Sequence, residues 1–307
     1  MKQTGKKKML SKRTKNDIQA YIMLSPQIIG FLLFSIFPLI WAIRLSWFSY
    51  NGIAEQTRFV GWENFVTLMS DTSYWSSLAN TFLFFVMKLP LEIPVAMFLA
   101  VLLSKKLRGA GFFRAMYYMP HVISVAITAL VFTNMFSYFG FINGWLQNLH
   151  ISELPIEWFG TKFKAMFVLV LADTWRSFGV NVMYFMAAIQ NVPEDVYEAA
   201  KIDGAGKLTT FFRITLPLIA PVMQVILMMS VIGTLGTNEL VLVLTNGAPG
   251  GTTHTVKSYI FQNYAPGMAD MNVNIGYGCA MSLVTGLILA AITLTYMKFS
   301  EKMKSIY

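Results

Sequence analysis

The sequence predicts an all-α, polytopic membrane protein with six transmembrane helices, and three observations carry that prediction. Of its 307 residues 55% are hydrophobic and only 13% charged, where soluble chains carry about 25% charged residues. Mean hydropathy is +0.54. The apolar residues also fall in runs long enough to cross a hydrocarbon core of about 30 Å, which takes about 20 residues of helix because every backbone polar group must be satisfied without water. A soluble enzyme does not fit this composition. The single cysteine, Cys279, leaves no internal disulfide framework, and His121, His150 and His254 are too scattered for a metal-ligand cluster.

Six runs qualify as spans: residues 21–43, 79–103, 115–138, 165–189, 216–237 and 275–297. The first, third, fifth and sixth contain no charged side chain. Basic residues gather on one side of this map. Lys2, Lys6, Lys7, Lys8, Lys12, Arg13 and Lys15 precede the first run, and Lys105, Lys106, Arg108 and Arg114 lie between the second and third. Lys201, Lys207 and Arg213 lie between the fourth and fifth, and Lys298, Lys302 and Lys304 follow the sixth. The other side holds Arg58, Lys162, Lys164 and Lys257, with Arg44 at the end of the first run. By the positive-inside rule both termini are cytoplasmic in a multi-pass protein of the cell membrane, and the net charge of +9 reads as topology rather than nucleic-acid binding.

Residues 1–19 therefore read as a basic cytoplasmic tail and residues 20–303 as one transmembrane domain. The first run is longer than the 7–15 residues of a signal-peptide core and no small-residue cleavage site follows it, so it is expected to be a retained anchor. Trp62, Trp75, Trp145, Trp158 and Tyr264 stand in the outer connections, where aromatics suit the headgroup level of the lipid.

The loop 190–215 is the most informative stretch. In Asn191-Val-Pro-Glu-Asp-Val-Tyr-Glu-Ala-Ala-Lys-Ile-Asp-Gly-Ala-Gly-Lys207, Pro193 suits a first helical position, and Glu194 and Asp195 put negative charge at the positive end of a helix dipole. A helix of about two and a half turns is expected from there through Ile202, stopping near Gly204. Val196, Tyr197, Ala200 and Ile202 offer it an apolar side, and Ala199 and Ala200 allow close approach of another surface. An interfacial helix lying on lipid would carry Lys and Arg on its polar face. This one carries Glu194, Asp195, Glu198 and Asp203 against Lys201, so a protein partner with basic residues fits better.

Glu198-Ala199-Ala200, then Gly204, Ile214 and Leu216-Pro217, keep the spacing of the EAA motif and resemble it closely. On this pattern the chain is identified as a member of the permease subunits of ATP-binding-cassette importers. The resemblance implies the type I importer permease fold. It also implies a coupling helix that docks on an ATPase subunit, with Glu198, Ala199, Ala200, Asp203 and Gly204 giving contact and shape and Ile214, Leu216 and Pro217 leading into the fifth span. Phe59-Val-Gly-Trp-Glu-Asn-Phe65, Gly140-Phe-Ile-Asn143, Trp175, Gln190, Leu244-Thr-Asn-Gly-Ala-Pro249 and Gly276-Tyr-Gly-Cys-Ala-Met-Ser282 are similar, in order and spacing, to the oligosaccharide and glycerol-phosphate branch. Within that branch the chain resembles the first permease. The partners implied are a paralogous second permease, two ATPase subunits, an extracytoplasmic solute-binding protein, a sugar and membrane lipid, with ATP and magnesium on the ATPase and no cofactor on this chain.

Gly204-Ala-Gly-Lys207-Leu-Thr-Thr210 is not a phosphate-binding loop: Lys201 stands where the first glycine belongs and Leu208 follows the lysine. Two charge pairs sit inside spans, Lys88 with Glu92 and Asp173 with Arg176, each spaced to meet on one helix face. Intramembrane charges point to function, yet Lys88 and Glu92 read best as a self-neutralising pair. Asp173, Trp175 and Arg176 suit a sugar, which takes an aromatic face and charged hydrogen-bonding groups. Small and hydroxyl residues recur late in the fifth span, Ser230, Thr234, Thr237 and Asn238 among them; such residues ordinarily serve helix packing. In maltose-type relatives the sugar is contacted from the fourth and fifth spans, which carries over to Ser177, Val180, Ser230, Thr234 and Thr237. A secondary transporter driven by an ion gradient is the rival reading; it would require inverted repeats and unpaired midplane charges, and neither is found in the sequence. An importer permease for a non-sugar solute is the other alternative, and no nucleophile or metal constellation supports an enzyme.

Overall fold

The computed structural model describes residues 12–104, 109–269 and 273–304. The expected basic residues Lys2, Lys6, Lys7, Lys8, Lys105, Lys106 and Arg108 lie outside the described residues. The chain opens with α1 (Lys12–Phe31) and α2 (Phe37–Leu45), joined by a π turn at Leu32–Ile36. Together they give an apolar span over Gln19–Leu45 whose apolar window buries no residue within the chain. A short antiparallel pairing of β1 (Phe48–Ser49) with β2 (Arg58–Phe59) and a helix α3 (Glu63–Ser70) lead to α4 (Thr72–Leu103). Asp71 caps α4 by accepting the Tyr74 N–H at 3.0 Å.

The expected third span is not one straight helix. It divides into α5 (Ala110–Val122) and α6 (Val125–Met135), bent by 94°. Pro120 in the last turn of α5 removes a backbone donor, Ile123 and Ser124 turn extended, and the Ser124 carbonyl then accepts from Thr128 N–H at 3.0 Å to begin α6. Apolarity alone says nothing of straightness. After α7 (Phe141–Asn148) comes α8 (Lys162–Gln190), 29 residues long, then α9 (Glu194–Ile202), α10 (Lys207–Thr210), a π turn at Phe211–Thr215, and α11 (Leu216–Leu235). The fifth span thus ends before Thr237, because Gly236 terminates it. Finally α12 (Glu239–Leu244) and α13 (Val256–Tyr264) precede α14 (Ile275–Lys304).

Among the described residues four helices are long and apolar enough to cross a membrane, and the bent α5–α6 pair qualifies as a fifth when counted as one. α8 matches them in length but carries Asp173, Arg176 and Asn181 in its middle. It lies at the centre of the bundle, packed most extensively on α4 and also on α5 and α11. Two apolar clusters flank its polar stretch. One joins Phe84 of α4, Phe132 of α6, Met166 and Leu169 of α8, and Leu240 and Leu244 of α12. The other joins Ala96 and Ala100 of α4, Val182 and Phe185 of α8, and Ile219 and Ile226 of α11. Lys88 and Glu92 of α4 and Asp173 and Arg176 of α8 fall in the layer between.

Candidate functional site

The two charge pairs form one network across the α4–α8 contact, which corrects the reading of them as separate pairs. Lys88 Nζ lies 2.5 Å from Asp173 Oδ2 on the other helix and 3.4 Å from Glu92 Oε2 on its own, and Arg176 approaches Asp173 Oδ1 at 3.5 Å. Asn181 donates to Glu92 Oε1 at 2.8 Å and to Ser230 Oγ at 3.2 Å, so the chain of contacts reaches α11. Lys88, Glu92 and Asp173 are buried. Spacing of i,i+4 names the partner on the same helix, whereas the shorter contact here is made by the neighbouring helix, because the α4–α8 packing turns both faces inward.

At one edge of this network a cavity of about 240 Å³ opens between α8 and the turn that follows α11. Arg176, Gly233, Gly236, Thr237, Asn238 and Glu239 line it, with Val125 and Leu240. Arg176 is partly exposed there. Its Nε and the Asn238 Oδ1 are buried atoms without a hydrogen-bond partner. The volume falls just short of the roughly 300–1,000 Å³ of complete ligand pockets. A second cavity of about 400 Å³ meets it at Asn238 and runs between α13 and α14, past Phe261, Tyr264, Cys279 and Leu289.

Of the residues expected on the substrate pathway, Arg176, Thr237 and Asn238 line the smaller cavity. Asp173 stands behind Arg176. Trp175 instead packs on Phe132 of α6, ring centroids 5.8 Å apart. Ser177 Oγ donates to the Asp173 carbonyl at 2.7 Å, Ser230 is engaged by Asn181, Thr234 is buried with an unpartnered hydroxyl, and Val180 does not line the cavity. Gly233 and Gly236, which belong to the small residues late in the fifth span, also line it, and Glu239 was missed. Glu239 lies one residue past the polar stretch read at the end of the fifth span, and only the turn at Gly236 brings it to the cavity.

The turn is held from outside the bundle. Thr255 Oγ1 donates to the Thr237 carbonyl at 2.8 Å, Val256 N–H donates to Thr81 Oγ1 at 2.9 Å, and Asn80 Nδ2 donates to the carbonyls of Thr252 and His254 at 2.8 and 2.9 Å. His254 is buried against Gly247, with Nδ1 3.2 Å from Ser258 Oγ. Burial pushes its pKa down from 6.5. The unfolded chain therefore binds more protons just below pH 6.5, so stability is complete above about 6.5 and is lost as pH falls through that value toward the folded-state pKa. We expect the thermal midpoint in detergent to drop between pH 7.5 and 5.5, and His254→Gln to flatten that dependence; an unchanged slope in the variant would count against His254.

The loop helix appears where expected. α9 spans Glu194–Ile202, and Gly204 takes φ +75°, the left-handed conformation that ends it. Its faces differ from the expectation: Ala200 is buried against the chain, whereas Ile202 is 86% exposed. Val196 and Tyr197 are half-buried, and the Tyr197 hydroxyl accepts from Thr215 Oγ1 at 3.3 Å. The exposed surface is Glu198, Ala199, Ile202, Asp203 and Gly204. Ile214, Leu216 and Pro217 are half-buried in the π turn and the first turn of α11.

Residues 92–301 match the family model described as the binding-protein-dependent transport system inner membrane component. The lactose transport system permease protein LacF of Rhizobium radiobacter is 35% identical over 80% of this chain and 83% of its own length. The trehalose/maltose transport system permease protein MalF of Thermococcus litoralis is 32% identical over 91% of this chain and 92% of its own. A chain from the crystal structure of a bacterial ABC transporter involved in the import of the acidic polysaccharide alginate has a TM-score of 0.80 and 24% identity, over 95% of this chain and 98% of that one, which shows the shared fold.

Proposed function

The chain belongs to the family of binding-protein-dependent transport system inner membrane components, and from that premise we propose that it is the permease subunit of an ATP-driven importer of carbohydrate. It pairs with a paralogous permease, two ATPase subunits and an extracytoplasmic binding protein, and both termini face the cytoplasm. The observation that carries this reading is the exposed acidic helix α9, set between α8 and α11 and closed at Gly204. Those two helices also carry the cavity, about 20 Å of α8 away at a rise of 1.5 Å per residue. A push on α9 therefore moves both walls of the cavity. The chain acts as a bistable element biased by ATPase closure at one end and by the binding protein at the other, and it performs no chemistry itself. The small cavity is half of a site that the second permease completes.

Purification of the tagged chain from its own membrane in mild detergent tests the assembly: an ATPase, a second six-span permease and a binding protein should accompany it. Recovery alone, with transport that needs no ATP, would refute the reading. Coupling has its own test at Gly204. An added Cβ there meets nothing within 4 Å, so only the positive φ resists substitution. Gly204→Val forces a β-branched residue into the left-handed region at a cost of about 1–2 kcal/mol, and should cut uptake at least tenfold while the complex still assembles. Gly204→Asn, which tolerates that conformation, should retain most uptake. Normal uptake by the valine variant removes the role assigned to this turn.

A further inference from the structure

We propose that the cavity between α8 and the α11–α12 turn is a subsite for an uncharged saccharide unit, with Glu239 as its specificity-determining acceptor. This deepens the carbohydrate reading above and rests on it. The lining holds two charged groups of opposite sign, Arg176 and Glu239. Behind Arg176 the charges alternate through Asp173, Lys88 and Glu92 at 3.5, 2.5 and 3.4 Å. Two cations thus meet two anions within the network, and the Lys257 ammonium, 3.4 Å from where a Cβ on Gly236 would stand, is balanced in number by the Glu239 carboxylate, so no surplus positive charge remains for an anionic ligand. A phosphate or uronate entering here would compete with Asp173 for Arg176 and face the Glu239 carboxylate.

The spare hydrogen-bonding capacity is of both kinds. Glu239 makes no hydrogen bond or ion pair among the described residues, Asn238 Oδ1 is buried without a donor, and Arg176 Nε is buried without an acceptor. A sugar hydroxyl is donor and acceptor at once. It can donate to the Glu239 carboxylate or the Asn238 carbonyl oxygen while a neighbouring hydroxyl accepts from the guanidinium. An apolar ligand would leave these groups unpaired. Gly233 and Gly236 keep the wall free of side chains, and an added Cβ at Gly236 would already lie 3.2 Å from the Ile232 carbonyl.

A binding protein selects what reaches the permease, so the cavity's own preference is read first with probes that need no delivery. In the assembled importer carrying Cys279→Ala, Asn238→Cys is treated with an anionic and a cationic methanethiosulfonate, and the mass shift of this chain gives the two rates. Normalised to 2-mercaptoethanol, their ratio should lie within about threefold of one, and Glu239→Gln should shift it about tenfold toward the anionic reagent, the effect of one nearby charge in a partly screened site. Thr237→Cys serves as the reporter if Asn238→Cys fails to fold. A ratio already favouring the anion by more than threefold, or one that Glu239→Gln leaves unmoved, overturns the proposal. Uptake of lactose and maltose is then compared with that of glycerol 3-phosphate. Glu239→Gln should raise the KM of an accepted neutral sugar at least fivefold with a smaller change in maximal rate, and an unchanged KM overturns the role of Glu239. Uptake of glycerol 3-phosphate with neither sugar sinks the carbohydrate reading itself, while the reagent ratio still judges the cavity.

Discussion

Replacing Lys88 with methionine is expected to destabilise the transporter by about 3–5 kcal/mol, the range found when one partner of a buried ion pair is removed, and to abolish uptake. Lys88 Nζ serves two carboxylates, Asp173 at 2.5 Å and Glu92 at 3.4 Å, and the three side chains are only 6%, 3% and 2% exposed. Without the ammonium, both carboxylates stay buried between two apolar clusters. Asn181 can still donate to one oxygen of Glu92, and Arg176 stands at 3.5 Å from Asp173; neither replaces the lost charge. Glu92 Oε2 has no hydrogen bond at all beyond the ion pair. The triple variant Lys88→Met, Glu92→Gln, Asp173→Asn removes every uncompensated buried charge while leaving Arg176 partly open to the cavity. It should recover most of the lost stability, measured as the thermal midpoint and the folded yield in detergent. If the single variant is as stable as the parent, water or another subunit reaches Lys88 and the layer is not a closed element.

Much of the architecture is set by local chemistry, and there single-sequence reasoning succeeds. Apolar runs bounded by basic residues mark the helices of the bundle, and Pro193, the Glu194–Asp195 pair and Gly204 bound α9 at both ends. What was not legible depends on how helices turn against one another. Spacing pairs Lys88 with Glu92, but only the packing of α4 on α8 brings Asp173 closer to the same ammonium. The apolar side of α9 is divided by packing: Ala200 docks on the chain, whereas Ile202 is exposed. Hydropathy could not show the 94° bend within the third span, since Val, Ile and Phe are as apolar in two short helices as in one long one. Glu239 escaped because it lies beyond the apolar boundary, and a turn at Gly236 carries it back to the cavity.

The second large effect is expected at Gly179, where α5 crosses α8. A Cβ built on Gly179 would lie 1.9 Å from the Tyr117 carbonyl oxygen and 2.8 Å from its carbon. Even a close carbon–oxygen contact needs about 3.3 Å, so alanine forces the helices apart by more than 1 Å. The obstacle is backbone, which cannot rotate away as a side chain could. Overpacking of this kind costs about 1–3 kcal/mol or more, against a helix-propensity gain of at most about 1 kcal/mol. Gly111→Ala in α5 is the matched control: its added Cβ meets nothing within 4 Å, so only the propensity gain remains. Gly179→Ala should therefore lower the thermal midpoint where Gly111→Ala leaves it unchanged or raises it. The position also bears on transport. Gly179 lies one turn from Arg176 on α8, and α5 leads through the bend to α6, whose Val125 lines the cavity. Moving α5 outward thus shifts the α6 wall of the cavity, and uptake should fall further than the loss of folded protein explains. Equal losses of uptake and folded protein would confine Gly179 to packing, and a stable, fully active alanine variant would mean that α5 and α8 stand farther apart in the working transporter.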